Sequence, residues 1–536
     1  MASPSIEITL TPEVADGAAT GIRVSFELRG LVLTEEDTLC RLPQILVGVA
    51  GAAVTDDGVT ATDDAGTIPL GHAVDDPTPT WTFRRWRPRR TTQGTVRVEY
   101  LAPVRVVTAA TTNGPLYDLR AEGPGVSAAG VSFLALPDRE EELTAQVAWD
   151  LSHLPAGARG VSSHGEGTVH RTATAEQLTY TFFMAGPVSS CPQVPGDTFG
   201  MYWLSETKFD ASEVGRHVEL LYQQMCAFFR DPDPGYRVFV RKHPFVGNGG
   251  SALPGSRGFM FGWSDEKTQT TAALKRLLEH ETVHNWTLLD GDPAEVSWYN
   301  EGTAEYYSLL LTLRTGVIDE DTFVSLLNER AHGYYGNPVQ TLSSAEAARI
   351  YWTDWRAQRV PYGRGQFYLL DVDHKIRQAS EGRRSLDDIV RELLDRKRAG
   401  QETGVDAWVE LITAELGQDG REEYEAMMAG QWVLPSTDCL SPRFTGREER
   451  IRQLDVGFDY SSFRTQTVSG VVRGGNADRV GIRDGDQIVQ APAPHSLPSK
   501  PAEEITLTLA RDGRQFEVTY EPFGDLVPGM LWEKTG

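Results

Sequence analysis

Two short segments carry side chains suited to metal-assisted chemistry. His280, Glu281 and His284 lie in a run that reads His-Glu-Thr-Val-His, and Glu301 and Glu305 follow within a second segment. Residues four apart share a face of a helix, so His280 and His284 can offer two imidazole nitrogens to one metal ion. Glu281 points into the same cleft without having to bind the metal. The spacing therefore predicts a metal site with a free carboxylate beside it.

This donor set suits a catalytic zinc site. Two histidines and Glu301 make a three-ligand set, which leaves the fourth tetrahedral position of one zinc ion open to water. Glu281 is then the predicted general base, and it can later pass the proton to a leaving amine. The predicted chemistry is hydrolysis of an amide bond by a zinc hydrolase. The alternative is chance, because the bare five-residue pattern also occurs on ordinary exposed helices.

Glu305 lies one helical turn beyond Glu301. At this spacing Glu301 can bind the metal while Glu305 accepts a hydrogen bond from the non-ligating nitrogen of a metal-bound histidine. The alternative is a solvated helical glutamate, since the chain carries 75 acidic residues. The sequence leaves both interpretations open.

Two predicted helices must position these residues. Apolar residues at helical spacing indicate a first helix from about Thr270 that contains His280 to His284, with its pattern ending beyond Leu289. A second helix is predicted over Val296–Arg314. Gly302 within it either permits close approach of the two helices or is merely a weak helix residue.

The rest of the chain changes character along its length. Residues 1–195 alternate short β-patterned runs with Gly, Asp and Pro turns, for example Ser5–Leu10, Ile22–Leu28 and Val96–Tyr100. This pattern predicts a β-sandwich. From about residue 205 the pattern turns helical, beginning with Val214–Phe229. A length of 536 residues is enough for about three domains.

Composition and charge exclude several classes of function. The formal net charge of -24 leaves no basic surplus to neutralise phosphates, so no nucleic-acid partner is expected. The N-terminus lacks a basic start and an apolar core, and no apolar run could span a bilayer, so we expect a cytoplasmic protein without a membrane partner. The four cysteines show no Cys-X-X-Cys spacing, which favours reduced thiols. They are Cys40, Cys191, Cys226 and Cys439.

Three segments together resemble a known family. They are the histidine motif with Trp298–Tyr307, the segment Pro361–Phe367, and the chain beyond Gly446. All three are similar to the gluzincin zinc metallopeptidases, most closely to the glycyl aminopeptidase family. The resemblance implies a multidomain α+β fold. Its implied domains are an N-terminal β-sandwich (1–195), a mainly helical thermolysin-like zinc peptidase domain (196–440) and a C-terminal PDZ-like β domain (446–526).

The resemblance also implies a role for Tyr362. In related gluzincins the tyrosine of a Tyr-X-Lys/Arg-Gly segment donates a hydrogen bond to the tetrahedral intermediate, and Tyr362 occupies that position. A phenol aimed at a developing oxyanion adds a second electrophile beside the metal. The alternative is a structural tyrosine at a helix start, and other tyrosines nearby are also candidates. These are Tyr334, Tyr335 and Tyr351.

Four further residues are expected at the substrate groove. The family carries a Gly-Gly-Leu-Glu-His type segment there, and Gly249 and Gly250 keep the glycines without the acidic residue. Arg257 and Phe259 belong to a run expected to lie along the groove and pair with substrate backbone; the alternative is a core strand. An aminopeptidase usually holds the free α-ammonium with a carboxylate, which the sequence does not identify.

The C-terminal segment resembles a PDZ domain in its carboxylate-binding loop and its Gly-Asp-X-Ile strand at Gly485–Ile488. Such a domain binds a peptide C-terminus at a sheet edge, in a groove closed by a helix. Four prolines in Ala491–Pro501 disfavour that helix here. The domain therefore either binds a peptide C-terminus or packs against the rest of the chain.

Three functions are compatible with these residues. The favoured one is a zinc aminopeptidase that acts on peptides with small N-terminal residues. The second is a zinc endopeptidase with an open groove. The third is a non-catalytic peptide-binding scaffold that retains the fold.

Overall fold

A computed structural model shows how the chain folds. It describes residues 3–78, 81–111, 114–245, 249–265, 270–492, 497 and 503–535. The chain forms two compact units, Met1–Leu278 and Glu279–Gly536. Several sheets and a helical region make it a multidomain α+β protein, as predicted. The division into domains at 1–195, 196–440 and 446–526 stays a prediction.

The first unit consists mainly of β-strands. Its strands in chain order are β1 (Ser5–Ala15), β2 (Ala18–Arg29), β3 (Cys40–Leu46), β4 (Val49–Ala50), β5 (Val59–Asp63), β6 (Gly66–Thr67), β7 (Leu70–Val74), β8 (Trp81–Pro88), β9 (Val96–Pro103), β10 (Arg120–Glu122), β11 (Gly125–Ala129), β12 (Leu143–Trp149), β13 (Arg159–Ser162), β14 (Gly165–Glu166), β15 (Val169–Ala173), β16 (Phe182–Gly186), β17 (Ser189–Cys191), β18 (Phe199–Trp203), β19 (Tyr236–His243), β20 (Gly249–Ala252) and β21 (Gly258–Ser264). Its helices are α1 (Ala175–Thr179), α2 (Ala211–Phe229) and the start of α3 (Thr271–Val283).

Three sheets contribute to one hydrophobic core in the N-terminal part of this unit. Their strand orders are β15-β12-β1-β2-β9-β5-β6, β4-β3-β8-β7 and β10-β11-β16-β13-β14. Period-two alternation decides which face is buried: Ile6, Ile8 and Leu10 of β1 are buried and lie opposite buried residues of β2. Strands β1, β2 and β9 confirm the three β-runs predicted from the sequence.

A fourth sheet has the order β17-β18-β19-β21-β20. Strand β21 lies between β19 and β20, and Phe259–Gly262 are paired on both sides. The expectation that this run pairs with substrate backbone is therefore wrong over the doubly paired stretch, because both of its edges are already hydrogen-bonded. It is a core strand, and the edge of the sheet is β20.

The second unit continues from the end of α3 and is helical up to residue 428. Its further helices are α4 (Pro293–Arg314), α5 (Glu320–Tyr335), α6 (Ser344–Ile350), α7 (Trp355–Gln358), α8 (Val360–Ala379), α9 (Leu386–Arg398) and α10 (Val405–Met428). Helix α4 confirms the predicted second helix. It begins earlier than predicted because the Asp292 carboxylate caps it, accepting a hydrogen bond from Ala294 N–H at 2.8 Å. Among the helices in the described ranges, none is both long and apolar enough for a membrane span.

The C-terminal part of this unit contains an antiparallel ribbon of β22 (Phe444–Leu454) and β26 (Phe523–Lys534). Between them lie α11 (Ser462–Thr465), α12 (Asn476–Arg479), β23 (Gln487–Gln490), β24 (Ile505–Arg511) and β25 (Arg514–Tyr520), which surround a separate small core. Most of the predicted place for a groove helix, Ala491–Pro501, lies outside the described residues. The PDZ-like assignment stays a prediction.

Candidate metal centre

Helix α3 delivers His280 and Glu281 in its last turn and ends at Val283. The prediction that its pattern runs to Leu289 was wrong. The chain tightens instead, because the N–H groups of Asn285 and Trp286 bond to carbonyls three residues back, at 3.2 and 3.0 Å. His284 thus lies in the turn just beyond the helix. Its ring still lies 5.0 Å from the His280 ring, centroid to centroid.

Helix α4 supplies Glu301 and Glu305 from one face. Gly302 lies beside them, and a Cβ placed there would come within 2.5 Å of the Cα of Gly365 in α8. The prediction that this glycine permits close approach of α3 and α4 is therefore wrong in its partner, because the helix that comes close to α4 at Gly302 is α8. Two glycines at one crossing let the backbones of α4 and α8 touch, and α8 carries Tyr362.

Three ligand atoms converge between these elements. Nε2 of His280 lies 3.3 Å from Nε2 of His284 and 3.2 Å from Oε2 of Glu301. Nε2 of His284 lies 3.7 Å from the same Oε2. Zinc bonds of about 2.0–2.2 Å in a tetrahedral site set ligand atoms about 3.3–3.6 Å apart. The observed separations fit that spacing, and the two-nitrogen, one-oxygen donor set suits zinc.

The charges around the two histidines differ. Burial lowers the pKa of His280, but hydrogen bonding to Glu301 and Glu305 outweighs it and raises the pKa to about 10. Burial lowers the pKa of His284 to about 4. His284 is therefore neutral, as a ligand must be. The His280 position favours positive charge, which a metal cation shared by these atoms would supply in place of the proton.

Glu281 stands beside this cluster as a third carboxyl. Burial raises its pKa to about 7, with the negative charge of Glu301 adding to the effect and the charge of His280 opposing it. A carboxyl whose pKa lies near neutral pH is suited to accept a proton and return it. The geometry and electrostatics fit the general-base role predicted from the sequence, which stays a prediction.

Glu305 faces the other side of the His280 ring. Its Oε1 lies 3.1 Å from Nδ1 of His280, and its Oε2 lies 2.8 Å from Nε of Arg330. Burial opposes ionisation, yet Arg330 and His280 together hold the pKa of Glu305 well below its usual range. This places a fixed negative charge behind a candidate ligand, the arrangement that orients metal-bound histidines.

Tyr362 lies in the first turn of α8. Its ring is nearly parallel to the His280 ring, with centroids 5.6 Å apart and 16° between planes. Burial opposes ionisation of Glu301, but the two histidine rings outweigh it and lower its pKa, and the Tyr362 hydroxyl adds to this effect. Tyr351 is also close, since it interacts with the Tyr362 hydroxyl. The described structure thus brings Tyr362 to the cluster, with Tyr351 behind it.

The predicted groove residues belong to the first unit. Gly249 and Gly250 lie in β20, and Phe259 is buried in β21, where its ring fills the space that a side chain at Gly250 would need. The Arg257 guanidinium pairs with Asp231 at 2.8 Å. Their roles in substrate binding stay predictions.

Two residues of the cluster were not predicted from the sequence. Arg330 on α5 pairs with Glu305, and Arg359 lies next to Tyr362 with its guanidinium 4.0 Å from the ring centre. Arg330 is 25 residues from Glu305, so no helical spacing links them. Arg359 is three residues before Tyr362, and that spacing is the signal that could have identified it.

We compared the chain with known protein families and with solved structures. A sequence profile for the family described as M61 glycyl aminopeptidase matches residues 273–369, which include the histidine motif, both glutamates and Tyr362. No curated protein matches the chain in sequence. The fold is similar to an aminopeptidase N family protein from Idiomarina loihiensis, with TM-score 0.67, 15% identity, and coverage of 99% of this chain and 98% of that one. An M1 zinc metallopeptidase from Deinococcus radiodurans aligns less well, with TM-score 0.46, 16% identity, and coverage of 81% and 96%.

The predicted resemblance to a gluzincin metallopeptidase of the glycyl aminopeptidase type is thus confirmed on the segment that carries the site. With it, the predictions of an enzyme and of peptide hydrolysis by a metallopeptidase are confirmed.

Proposed function

Starting from a zinc metallopeptidase of the glycyl aminopeptidase type, we propose that this chain removes small N-terminal residues from peptides with a single zinc ion. The observation that carries the proposal is the convergence of three ligand atoms, no more than 3.7 Å apart, beside a partly buried carboxyl. His280, His284 and Glu301 hold the ion, and Glu281 is the base. The three-domain division, with a PDZ-like domain at 446–526, is part of the proposal.

The chain's own residues supply most of the chemistry. When bound, zinc polarises the scissile carbonyl and acidifies a water molecule. Glu281 removes a proton from the attacking water and delivers it to the leaving amine. The Tyr362 hydroxyl donates a hydrogen bond to the oxygen on which negative charge develops. Glu305 holds Nδ1 of His280, so that Nε2 stays turned toward the other ligands.

Substrate backbone requires an edge to pair with. Strand β20 is the edge of its sheet among the described strands and carries Gly249 and Gly250. An extended peptide can add to such an edge through main-chain hydrogen bonds. Within the first unit we propose that Gly249 and Gly250 of β20 bind peptide backbone, and that Arg257, which precedes β21, and Phe259 in β21 take part in substrate binding.

The test uses a mixed library of peptides, each with a free or an acetylated N-terminus. Zinc-loaded protein and its Glu281→Gln variant are incubated with both sets, and products are read by mass spectrometry. Loss of single small N-terminal residues from the free set alone, and only with Glu281 intact, is the expected result. Zinc content measured on both proteins shows that the variant keeps its metal.

Other outcomes select other functions. Internal cuts in both sets indicate an endopeptidase with an open groove. Bound zinc without any cleavage indicates a peptide-binding scaffold, and the same library then serves as a binding panel. Binding of a peptide C-terminus by the PDZ-like domain is a separate expectation, tested with peptides that differ only in a free or amidated C-terminus.

A further inference from the structure

Glu305 and Tyr362, which belong to the candidate site, also line a cavity of about 350 Å³. This volume lies at the lower end of the roughly 300–1,000 Å³ range of small-molecule sites. Three arginines contribute to the wall, together with aromatic side chains. The arginines are Arg330, Arg356 and Arg359, and the aromatic residues include Tyr334, Trp355 and Tyr460. A cavity lined by charged and aromatic side chains that shares two residues with a peptidase site is a candidate place for part of the substrate.

The three arginines differ in how far their charges are already neutralised. Arg330 pairs with Glu305 at 2.8 Å. Arg356 makes two bonds to Asp354, at 3.0 and 2.7 Å. In the part of the chain that the structure describes, the guanidinium of Arg359 donates no hydrogen bond, and its ion pair is a 4.0 Å contact with Glu305. Glu305 is already engaged by Arg330 and His280, so Arg359 retains most of its capacity to bind an anion.

Aromatic rings hold Arg359 in place. Its guanidinium carbon lies 4.0 Å from the centre of the Tyr362 ring and 5.9 Å from the centre of the Trp355 ring. The side chain remains 41% exposed. Stacking on a ring fixes the plane of a guanidinium and leaves its N–H edge free, which is the geometry that grips a carboxylate with two parallel bonds. Glu329 also lines the cavity, so the lining is not uniformly basic. The capacity to bind an anion therefore belongs to Arg359 itself and not to the net charge of the cavity.

Two contacts of the Tyr362 ring set an upper limit on the distance from Arg359 to the metal cluster. The guanidinium lies 4.0 Å from the Tyr362 ring, whose centre is 5.6 Å from that of His280. These two steps span about three residues of extended chain or fewer, at roughly 3.4 Å per residue. In a peptide cut after its first residue, the remaining chain extends on the leaving-group side. A carboxylate at the end of a short peptide therefore comes within reach of Arg359.

We propose that Arg359 binds a carboxylate of the substrate and so makes the enzyme selective for short peptides of about two to four residues. This inference rests on the proposed function. The carboxylate is the C-terminal α-carboxylate of a short peptide or the side chain of an acidic residue close to the scissile bond. Both have the same chemistry, and the experiment distinguishes them.

The experiment compares three tripeptides: Gly-Ala-Phe as free acid, the same peptide as C-terminal amide, and Gly-Asp-Phe amide. Zinc-loaded wild type is expected to favour the free acid over its amide through KM, with similar kcat. Arg359→Gln should raise KM for the free acid about 10- to 100-fold more than it raises KM for the neutral amide, the value of one charge-assisted hydrogen-bond pair. Efficient cleavage of the aspartyl amide would identify the side chain as the source of the carboxylate.

Arg356→Gln is the matched control, because Arg356 lines the same cavity but is already paired with Asp354 and stacked on Tyr460. It should keep the preference for the free acid. Arg359→Lys keeps the positive charge but cannot make two parallel hydrogen bonds to a carboxylate. Its KM for the free acid should lie between those of wild type and Arg359→Gln. Binding of both Gly-Ala-Phe forms to zinc-loaded Glu281→Gln, measured by calorimetry with and without Arg359→Gln, gives a readout that does not depend on turnover.

The outcomes separate this inference from the proposed function. Cleavage with equal KM for all three peptides, unaffected by Arg359→Gln, overturns the carboxylate site and keeps the aminopeptidase. A binding preference for the acid that Arg359→Gln abolishes, without any cleavage, keeps the carboxylate site and overturns the aminopeptidase. Neither binding nor cleavage of any of the three peptides overturns both.

Discussion

Each unit of this protein buries a carboxylate among basic groups, but the two clusters are built differently. In the first unit, Asp118 is fully buried and binds three guanidinium groups, from Arg241 at 2.6 Å, Arg120 at 2.8 Å and Arg105 at 3.0 Å. Each of its oxygens faces N–H donors. In the second unit, Nε2 of His280, Nε2 of His284 and Oε2 of Glu301 face one another, and all three atoms offer lone pairs once the His280 ring gives up its proton.

The difference shows what marks a functional cluster. Around Asp118 donors and acceptors are complementary, so the cluster is satisfied by the chain alone and contributes specificity to the fold. Three lone-pair atoms at 3.2–3.7 Å repel one another unless a proton or a cation lies between them. Burial alone does not separate the two cases. The two clusters differ in whether hydrogen-bond donors face acceptors or lone-pair atoms face one another.

The largest expected effect comes from removing the base. Glu281→Gln should lower kcat by about 100- to 10,000-fold, the usual contribution of a positioned general base. The melting temperature should not fall, because the glutamine removes a partly buried carboxyl whose pKa is raised by its loss of contact with water. Steady-state kinetics measures the loss of kcat, and a thermal melt measures the melting temperature. A variant that loses zinc or stability along with activity would place Glu281 among the structural residues.

Asp118→Asn should have the opposite effect, because it should lower stability and leave the metal site intact. It leaves the fully buried Arg241 without its counter-charge, and breaking a buried pair in this way costs about 3–5 kcal/mol of unfolding free energy. Denaturant unfolding measures the loss, and zinc content per folded protein should be unchanged. Asp138→Asn is the control, since Asp138 pairs with Arg41 and Arg85 but is one-third exposed, and it should cost no more than about 1 kcal/mol.

The loss of unfolding free energy in Asp118→Asn should depend on pH. The arginines lower its folded-state pKa against the opposing effect of burial, so its contribution to stability is present above the unfolded pKa of about 3.9 and is lost as the pH falls through the folded value. The difference in unfolding free energy between wild type and Asp118→Asn should therefore narrow below about pH 4. A constant difference down to about pH 2 would contradict this assignment.

Tyr362→Phe tests the second electrophile. It should lower kcat by about 100- to 1,000-fold with little change in zinc affinity, because it removes a single donor to the developing oxyanion. Tyr351→Phe is the matched control, since Tyr351 reaches the cluster through the Tyr362 hydroxyl. Equal losses in both variants would mean that the two phenols act as one hydrogen-bonded unit.

The sequence predicts the metal cluster better than its surroundings. Spacings of four residues place His280 near His284 and Glu301 near Glu305 because a helix fixes such distances, even though α3 ends before His284. No local spacing relates Arg330 to Glu305, or Gly302 to Gly365. Those contacts depend on how α4 packs against α5 and α8, which is decided by side chains far apart in the chain.

In the same way, β1 and β2 were predicted because alternation repeats within each strand, whereas the position of β21 in the centre of its sheet depends on which strands pair with it. Periodicity tells which face of an element is buried. It does not tell which neighbour covers an edge.

The smallest effect should come from Glu305, where the two kinds of cluster meet. Like Asp118 it binds a guanidinium, from Arg330, but it also faces Nδ1 of a candidate ligand. Glu305→Gln keeps the size and an acceptor oxygen and removes the charge, so zinc affinity should fall about 10- to 100-fold, as for other carboxylates behind metal-bound histidines. Competition with a chelator measures this, and Glu329→Gln, in the same cavity, should bind zinc as wild type does. Wild-type affinity in Glu305→Gln, together with a loss of stability, would make Glu305 a counterpart of Asp118, held for its arginine and not for the metal.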